Sequence, residues 1–147
     1  MGNGTDPIGG DPAAAESAVR SLVARYCMAV DDGRFDDFAR LFAPDARFRV
    51  MGTTHEGPAA IRAFMEAAQP PEARGRHDIG ATVLDLDPAA GAGRGWVDYV
   101  FFDTSGAATS IGRYHDAYVR SGSGPWVFRL REIVFLGGEP DLAGTWA

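Results

Sequence analysis

The sequence predicts an α+β fold, three helices in the first half of the chain followed by long antiparallel strands. Three observations predict it. Apolar residues recur at helical spacing in the first half of the chain. In the second half they gather into long runs rich in β-branched and aromatic residues. Gly- and Pro-bearing breaks of hairpin size separate those runs. Three helices do not cover both faces of such a sheet. One face is expected to curl around them and leave a pocket, and the other to meet solvent or a second subunit.

Residues 1–12 are rich in Gly, Asp and Pro and read as a flexible tail. A single domain follows over 13–138, and 139–147 is a C-terminal tail without clear period. Val19, Leu22, Val23, Tyr26, Cys27 and Val30 fall at i, i+3, i+4, i+7, i+8 and i+11, one apolar stripe on a helix over 12–30. Asp31-Asp32-Gly33 ends it, glycine being the residue that most readily closes a helix. Phe35, Phe38, Leu41 and Phe42 give a second, short helix that stops at Pro44-Asp45. Residues 46–51 alternate apolar and charged, as a half-buried strand does, and 52–57 read as a turn. Pro58 sits at a first helical position, and Ile61, Phe64, Met65 and Ala68 complete a third amphipathic helix before Pro70-Pro71. Four strands follow at 77–87, 95–103, 109–120 and 126–136, with turns at Ser105-Gly106 and Gly122 to Gly124.

Composition narrows the function classes. The chain has 147 residues, 46% of them hydrophobic and 23% charged, which suffices for one core and excludes wholesale disorder. Fourteen basic against 20 acidic residues give a net charge of −6. That argues against nucleic acid, whose binding needs Lys and Arg on phosphates, and against an anionic membrane surface. The one cysteine, Cys27, precludes an intrachain disulfide and a Cys-rich zinc site. No apolar run has the length of a bilayer span and no signal pattern opens the chain, so a cytoplasmic protein is expected.

The run from Val23-Ala24-Arg25-Tyr26 through Asp31-Asp32-Gly33-Arg34-Phe35-Asp36 resembles the opening of SnoaL-like proteins of the nuclear transport factor 2 superfamily. Leu41-Phe42-Ala43-Pro44-Asp45-Ala46, Gly57-Pro58-Ala59-Ala60-Ile61 and the hairpin from Gly112-Arg113-Tyr114 to Pro125-Trp126 are similar to it too. The resemblance covers about 16–136. It implies a cone-shaped curved antiparallel β-sheet wrapped around the three N-terminal helices, a deep apolar pocket and a homodimer through the outer sheet face. It fixes chemistry poorly, because this superfamily hosts dehydratases, isomerases, cyclases, epoxide hydrolases and non-catalytic binders.

Four residues are the candidate catalytic set. His77 opens a strand in Arg76-His77-Asp78-Ile79-Gly80, and a neutral imidazole near pH 7 can take or give a proton. Resemblance to scytalone dehydratase, a relative of this fold, implies a catalytic His at this strand start. It also implies that an acidic residue at the position of Asp31 orients the imidazole. A carboxylate bonded to an imidazole fixes its tautomer and steadies the cation. Tyr26 lies on the apolar stripe, so its hydroxyl would be buried and in need of a partner. The matching Tyr of ketosteroid isomerase donates to an oxyanion. That enzyme's general-base Asp has no counterpart in Phe48-Arg49-Val50-Met51. Strand alternation puts His115, Ala117 and Val119 on one face and Tyr114, Asp116 and Tyr118 on the other. The smaller apolar residues make the His115 face the expected inward one, and the resemblance gives His115 a pocket-facing position.

Phe48, Met51, Phe64, Trp96, Tyr99 and Phe101 supply lining for a bulky, largely apolar small-molecule substrate. His55-Glu56 is expected to face water in a turn. The three histidines lack metal-site spacing, and only a convergence of His77, His115 and Asp31 would make an ion site. No Gly-rich strand-to-helix motif marks a nucleotide, and no cofactor or metal is expected. The leading expectation is a cofactor-independent cyclase, dehydratase or isomerase of secondary, polyketide-type metabolism. His77 would move the proton, Asp31 orient it, and Tyr26 and His115 donate to a developing oxyanion. The alternatives are a shape-driven pericyclic cyclase and a non-catalytic binder of apolar ligands. A third is an epoxide hydrolase on Asp98, Arg113 and Asp116, although alternation sets Arg113 and Asp116 on opposite faces.

Overall fold

Asp11 starts the first helix by accepting a hydrogen bond from the Ala13 N–H at 3.0 Å, and α1 runs over Pro12–Asp32 in the computed structural model, which describes residues 10–142. Most of the expected N-terminal tail and residues 143–147 lie outside the described residues. Gly33 closes α1 in the left-handed region (φ 69°), and the Arg34 N–H bonds back to the Ala29 carbonyl at 2.8 Å. The helix runs two residues beyond its expected end. Asp31 therefore falls one turn after Cys27 on the stripe and is buried, rather than solvated at a helix end.

The second helix, α2 (Phe35–Ala39), is shorter than expected. Phe42 belongs instead to β1 (Phe42–Val50), which begins four residues early. Pro44 lies between Phe42 and Arg47, where the pairing of β1 with its neighbour shifts register, so its missing N–H costs no regular ladder bond. Residues 52–57 are not only a turn. Thr53–Glu56 form β2, paired with β1 through a two-residue connection at Met51 (φ 49°) and Gly52 (φ 77°). Positive φ at both central positions is the hairpin geometry that suits strand twist. The polar run Thr53-Thr54-His55-Glu56 gave no apolar period to read. After α3 (Gly57–Ala68) and a 3₁₀ turn (Pro71–Ala73) come β3 (Arg76–Asp87), β4 (Ala92–Phe102), β5 (Ala108–Arg120) and β6 (Trp126–Phe135).

These form one sheet in the order β2-β1-β6-β5-β4-β3. Only β1 and β6 run parallel. The helices cover its inner face. Two faces read from sequence are reversed. Tyr114, Asp116 and Tyr118 are fully buried on the inner face, while His115 lies on the outer one, opposite Trp96 on β4 and Glu132 on β6. Burying a tyrosine ring removes more apolar surface from water than burying Ala117 or Val119, and Asp116 finds a counter-ion inside. A register shift near Ala117 and Tyr118 inserts an extra residue in β6, so Phe128 and Arg131 both turn inward.

Candidate active site

Asp31, in the last turn of α1, meets the first residues of β3. Its Oδ2 accepts the His77 backbone N–H at 2.9 Å and its Oδ1 lies 2.6 Å from the ring Nδ1. The imidazole and the carboxylate are 11% and 5% exposed. An ionised carboxylate only accepts, so Nδ1 carries the proton of the neutral ring and Nε2 keeps its lone pair. Nε2 makes no hydrogen bond to any described residue. A groove of about 370 Å³ between α1 and β3 is lined by this pair with Ala24, Cys27, Met28 and Ile79, and Arg76 and Asp32 stand at it too. Phe101 packs 4.8 Å from the His77 ring, centroid to centroid, with Tyr99 at 6.1 Å and Tyr26 edge-on at 6.5 Å. Burial pushes the Cys27 thiol up to about 12, which keeps it from acting as a thiolate near neutral pH.

Behind the dyad the cone is filled. Tyr26, Phe48, Tyr114, Tyr118, Phe128 and Arg131 are each under 2% exposed, so the deep apolar pocket that the resemblance implies is occupied by the protein's own side chains. Arg131 donates to both oxygens of Asp116, from Nε at 2.8 Å and from Nη2 at 2.7 Å, and the Tyr118 hydroxyl donates to the same carboxylate at 2.8 Å. The guanidinium carbon sits 3.8, 4.2 and 4.3 Å from the ring centroids of Tyr114, Tyr26 and Phe128. Such a cage suits a cation that has lost its water. Burial acts to lower the Arg131 pKa, but the Asp116 charge and hydrogen bonds outweigh it and the value is raised. Burial raises Tyr26, Tyr114 and Tyr118 as well, so all three stay neutral. Arg131 Nη1 and the Tyr114 hydroxyl have no partner among the described residues.

The candidate residues therefore separate. His77 and Asp31 are brought together, with Tyr26 beside them. His115 is not part of this group. It sits across the sheet, its Nδ1 buried and unpartnered, and burial lowers its pKa. His77, His115 and Asp31 accordingly do not converge on an ion, and no cluster of three or more His, Cys, Asp or Glu residues able to hold a metal occurs among the described residues. Of the expected lining, Phe101 and Tyr99 flank the dyad. Phe48 is core, and Phe64 packs on Phe48 and His55. Trp96 is on the outer face, and Met51 is 72% exposed at the β1–β2 turn, so neither lines this site. His55 is half-buried rather than turned wholly to water. Its ring stacks on Phe64 at 4.2 Å and its Nε2 is buried. Asp98 and Arg113 pair at 2.5 Å on the outer face, away from Asp116, so the epoxide-hydrolase triad does not assemble.

Sequence reasoning missed Arg131. Arg129-Leu130-Arg131-Glu132 has the look of a solvated strand edge, and the extra residue in β6 hides its true face. Asp116 and Tyr118 held the available signal. A carboxylate between two tyrosines on a face that turns inward needs a cation.

The SnoaL-like domain family matches residues 11–132, and the chain belongs to it. Among solved structures, Aln2 from a Streptomyces species is 27% identical, with a TM-score of 0.70 over 85% of this chain and 92% of that one. ActVI-ORFA from Streptomyces coelicolor is 20% identical, with a TM-score of 0.70 over 82% of this chain and 96% of that one. A cystatin-like protein of unknown function from Nostoc punctiforme is 19% identical, with a TM-score of 0.70 over 82% and 90%. No curated protein sequence matches the chain. No helix of the described residues is long and apolar enough to cross a membrane.

Proposed function

From membership of the SnoaL-like family, we propose that this protein is an acid–base enzyme acting on a hydrophobic small molecule, as a cyclase, dehydratase or isomerase of polyketide-type metabolism that needs no cofactor. One observation carries the reading. Asp31 holds His77 by two hydrogen bonds and leaves Nε2 without a protein partner beside an apolar-walled groove. Nε2 takes a proton from an acidic C–H or O–H of the substrate, and Asp31 stabilises the imidazolium that results. The same nitrogen returns the proton to a departing hydroxyl in a dehydration, or to another atom in an isomerisation or ring closure. Ala24, Cys27, Met28 and Ile79 offer an apolar seat, whereas Tyr26 is sealed in the core behind the dyad and is not part of the groove lining, so it packs under the His77 ring rather than donating to substrate. His115 has no part in this step.

The test is turnover of a panel of oxygenated polycyclic and polyene compounds by the wild type, His77→Ala and Asp31→Asn. His77→Ala should lower turnover by about a hundredfold or more, the usual scale of general acid–base catalysis, while circular dichroism stays unchanged. Undiminished turnover would remove proton transfer by His77 and favour a shape-driven reaction. A homodimer through the outer sheet face belongs to the same proposal. That face exposes Val83 (60%) and Ile111 (45%) beside half-buried Trp96 and Val134. Light scattering should give twice the chain mass for the wild type and less for Ile111→Arg; a monomeric wild type refutes it.

A further inference from the structure

A second groove, of about 580 Å³, lies along the N-terminal half of α1 and the start of β6, away from the dyad at the helix's other end. Its apolar floor includes Leu22 and Trp126, 4% and 6% exposed. Three guanidinium groups, those of Arg25, Arg40 and Arg120, line it, and no Asp or Glu does among the described residues. That is a local reversal of sign in a chain of net charge −6. Arg25 makes no ion pair with a described residue; its Nε has only the Ser21 hydroxyl, at 3.5 Å. Arg40 pairs with Asp37, which lies outside the groove, at 2.7 Å. Arg120 donates to the Gly124 carbonyl at 2.8 Å, which fixes it against the β5–β6 turn.

We propose that this groove binds an anionic amphiphile, a carboxylate carried on an alkyl or aromatic body. Guanidinium groups recognise carboxylates through paired, charge-assisted hydrogen bonds. A bare inorganic anion would leave the floor of Leu22 and Trp126 unused, and a neutral apolar molecule would leave the arginines unused. The volume falls in the range of small-molecule sites, about 300–1,000 Å³. The inference does not depend on the acid–base reading.

The experiment is a ¹H–¹⁵N NMR titration of the full chain with decanoate, decanol and inorganic phosphate. Decanoate should shift the Trp126 indole N–H saturably. Decanol should bind at least tenfold more weakly, and phosphate should give no saturable shift. The double variant Arg25→Ala/Arg40→Ala, in exposed side chains, should weaken decanoate at least tenfold. Ala18→Trp, at an exposed position in the groove, should block it, and His77→Ala should leave it unchanged. Decanol binding as tightly as decanoate would reduce the groove to an apolar patch and overturn the proposal. So would phosphate acting as strongly as decanoate, or full affinity in the double arginine variant.

Discussion

Two buried acid–base pairs lie on the inner face of one sheet, and they are built for different ends. Arg131 and Asp116 have no exposure at all, a bidentate bond, a third bond from Tyr118 and aromatic rings around the cation. His77 and Asp31 stand at the rim, 11% and 5% exposed, and one ring nitrogen stays unspent beside a groove. The difference separates a pair that holds structure from one able to do chemistry. A cation sealed against its buried counter-ion cannot change partners without unfolding its surroundings, whereas a rim imidazole can meet a substrate and still be held.

The largest effect should come from unbalancing the sealed pair. Asp116→Ala leaves Arg131 charged with no counter-ion, and chemical denaturation should show a loss of about 3–5 kcal/mol. Replacing both partners together, Asp116→Leu with Arg131→Met, should recover most of that loss, because burying two well-packed apolar groups avoids the desolvation of charge. A double variant as unstable as Asp116→Ala alone would mean that the pair is not the source of the cost. His77→Ala should invert the pattern. It should cost turnover about a hundredfold but stability only about 1–3 kcal/mol, the usual scale for leaving one buried acceptor short of a partner.

Smaller effects sharpen the same contrast. Tyr118→Phe removes a single donor to the charged Asp116 carboxylate and should cost about 1.5–3 kcal/mol in a denaturation curve. His115 gives a pH signature from the opposite face. Burial lowers its folded pKa below 6.5, with Glu132 and Asp116 acting to raise it and Arg113 to lower it. The unfolded chain therefore binds the proton more readily, and stability should fall as pH drops through 6.5, levelling once the folded value is passed. His115→Gln should flatten melting temperature against pH between 7 and 5. Turnover of that variant should match the wild type, because His115 lies across the sheet from the dyad.

Much of this was legible in the residues, for reasons that also explain the failures. The stripe from Val19 to Val30 recurs with a helical period, so α1 could be placed, and the strands 77–87 and 109–120 appeared within a residue or so of β3 and β5. His77 and Asp31 were singled out, and the fold brings them within 2.6 Å. What a period cannot carry is which face turns inward when both faces hold large or polar residues, and this reversed Tyr114-Asp116-Tyr118 against His115. An extra residue in β6 likewise hid Arg131, because an inserted residue flips every later side chain. The four polar residues of β2 had no apolar alternation, and the filled cone was invisible because packing of Tyr26, Phe48 and Phe128 arises between elements distant in the chain.

His77 presents a bare Nε2 because Asp31 holds its Nδ1 proton. Long-range ¹H–¹⁵N correlation spectra of the imidazole rings, recorded at alkaline pH, read this tautomer. The ring should be the Nδ1–H tautomer, and Asp31→Asn should disturb that preference. An Nε2–H tautomer in the wild type would leave no lone pair to receive a proton from substrate and would contradict the account.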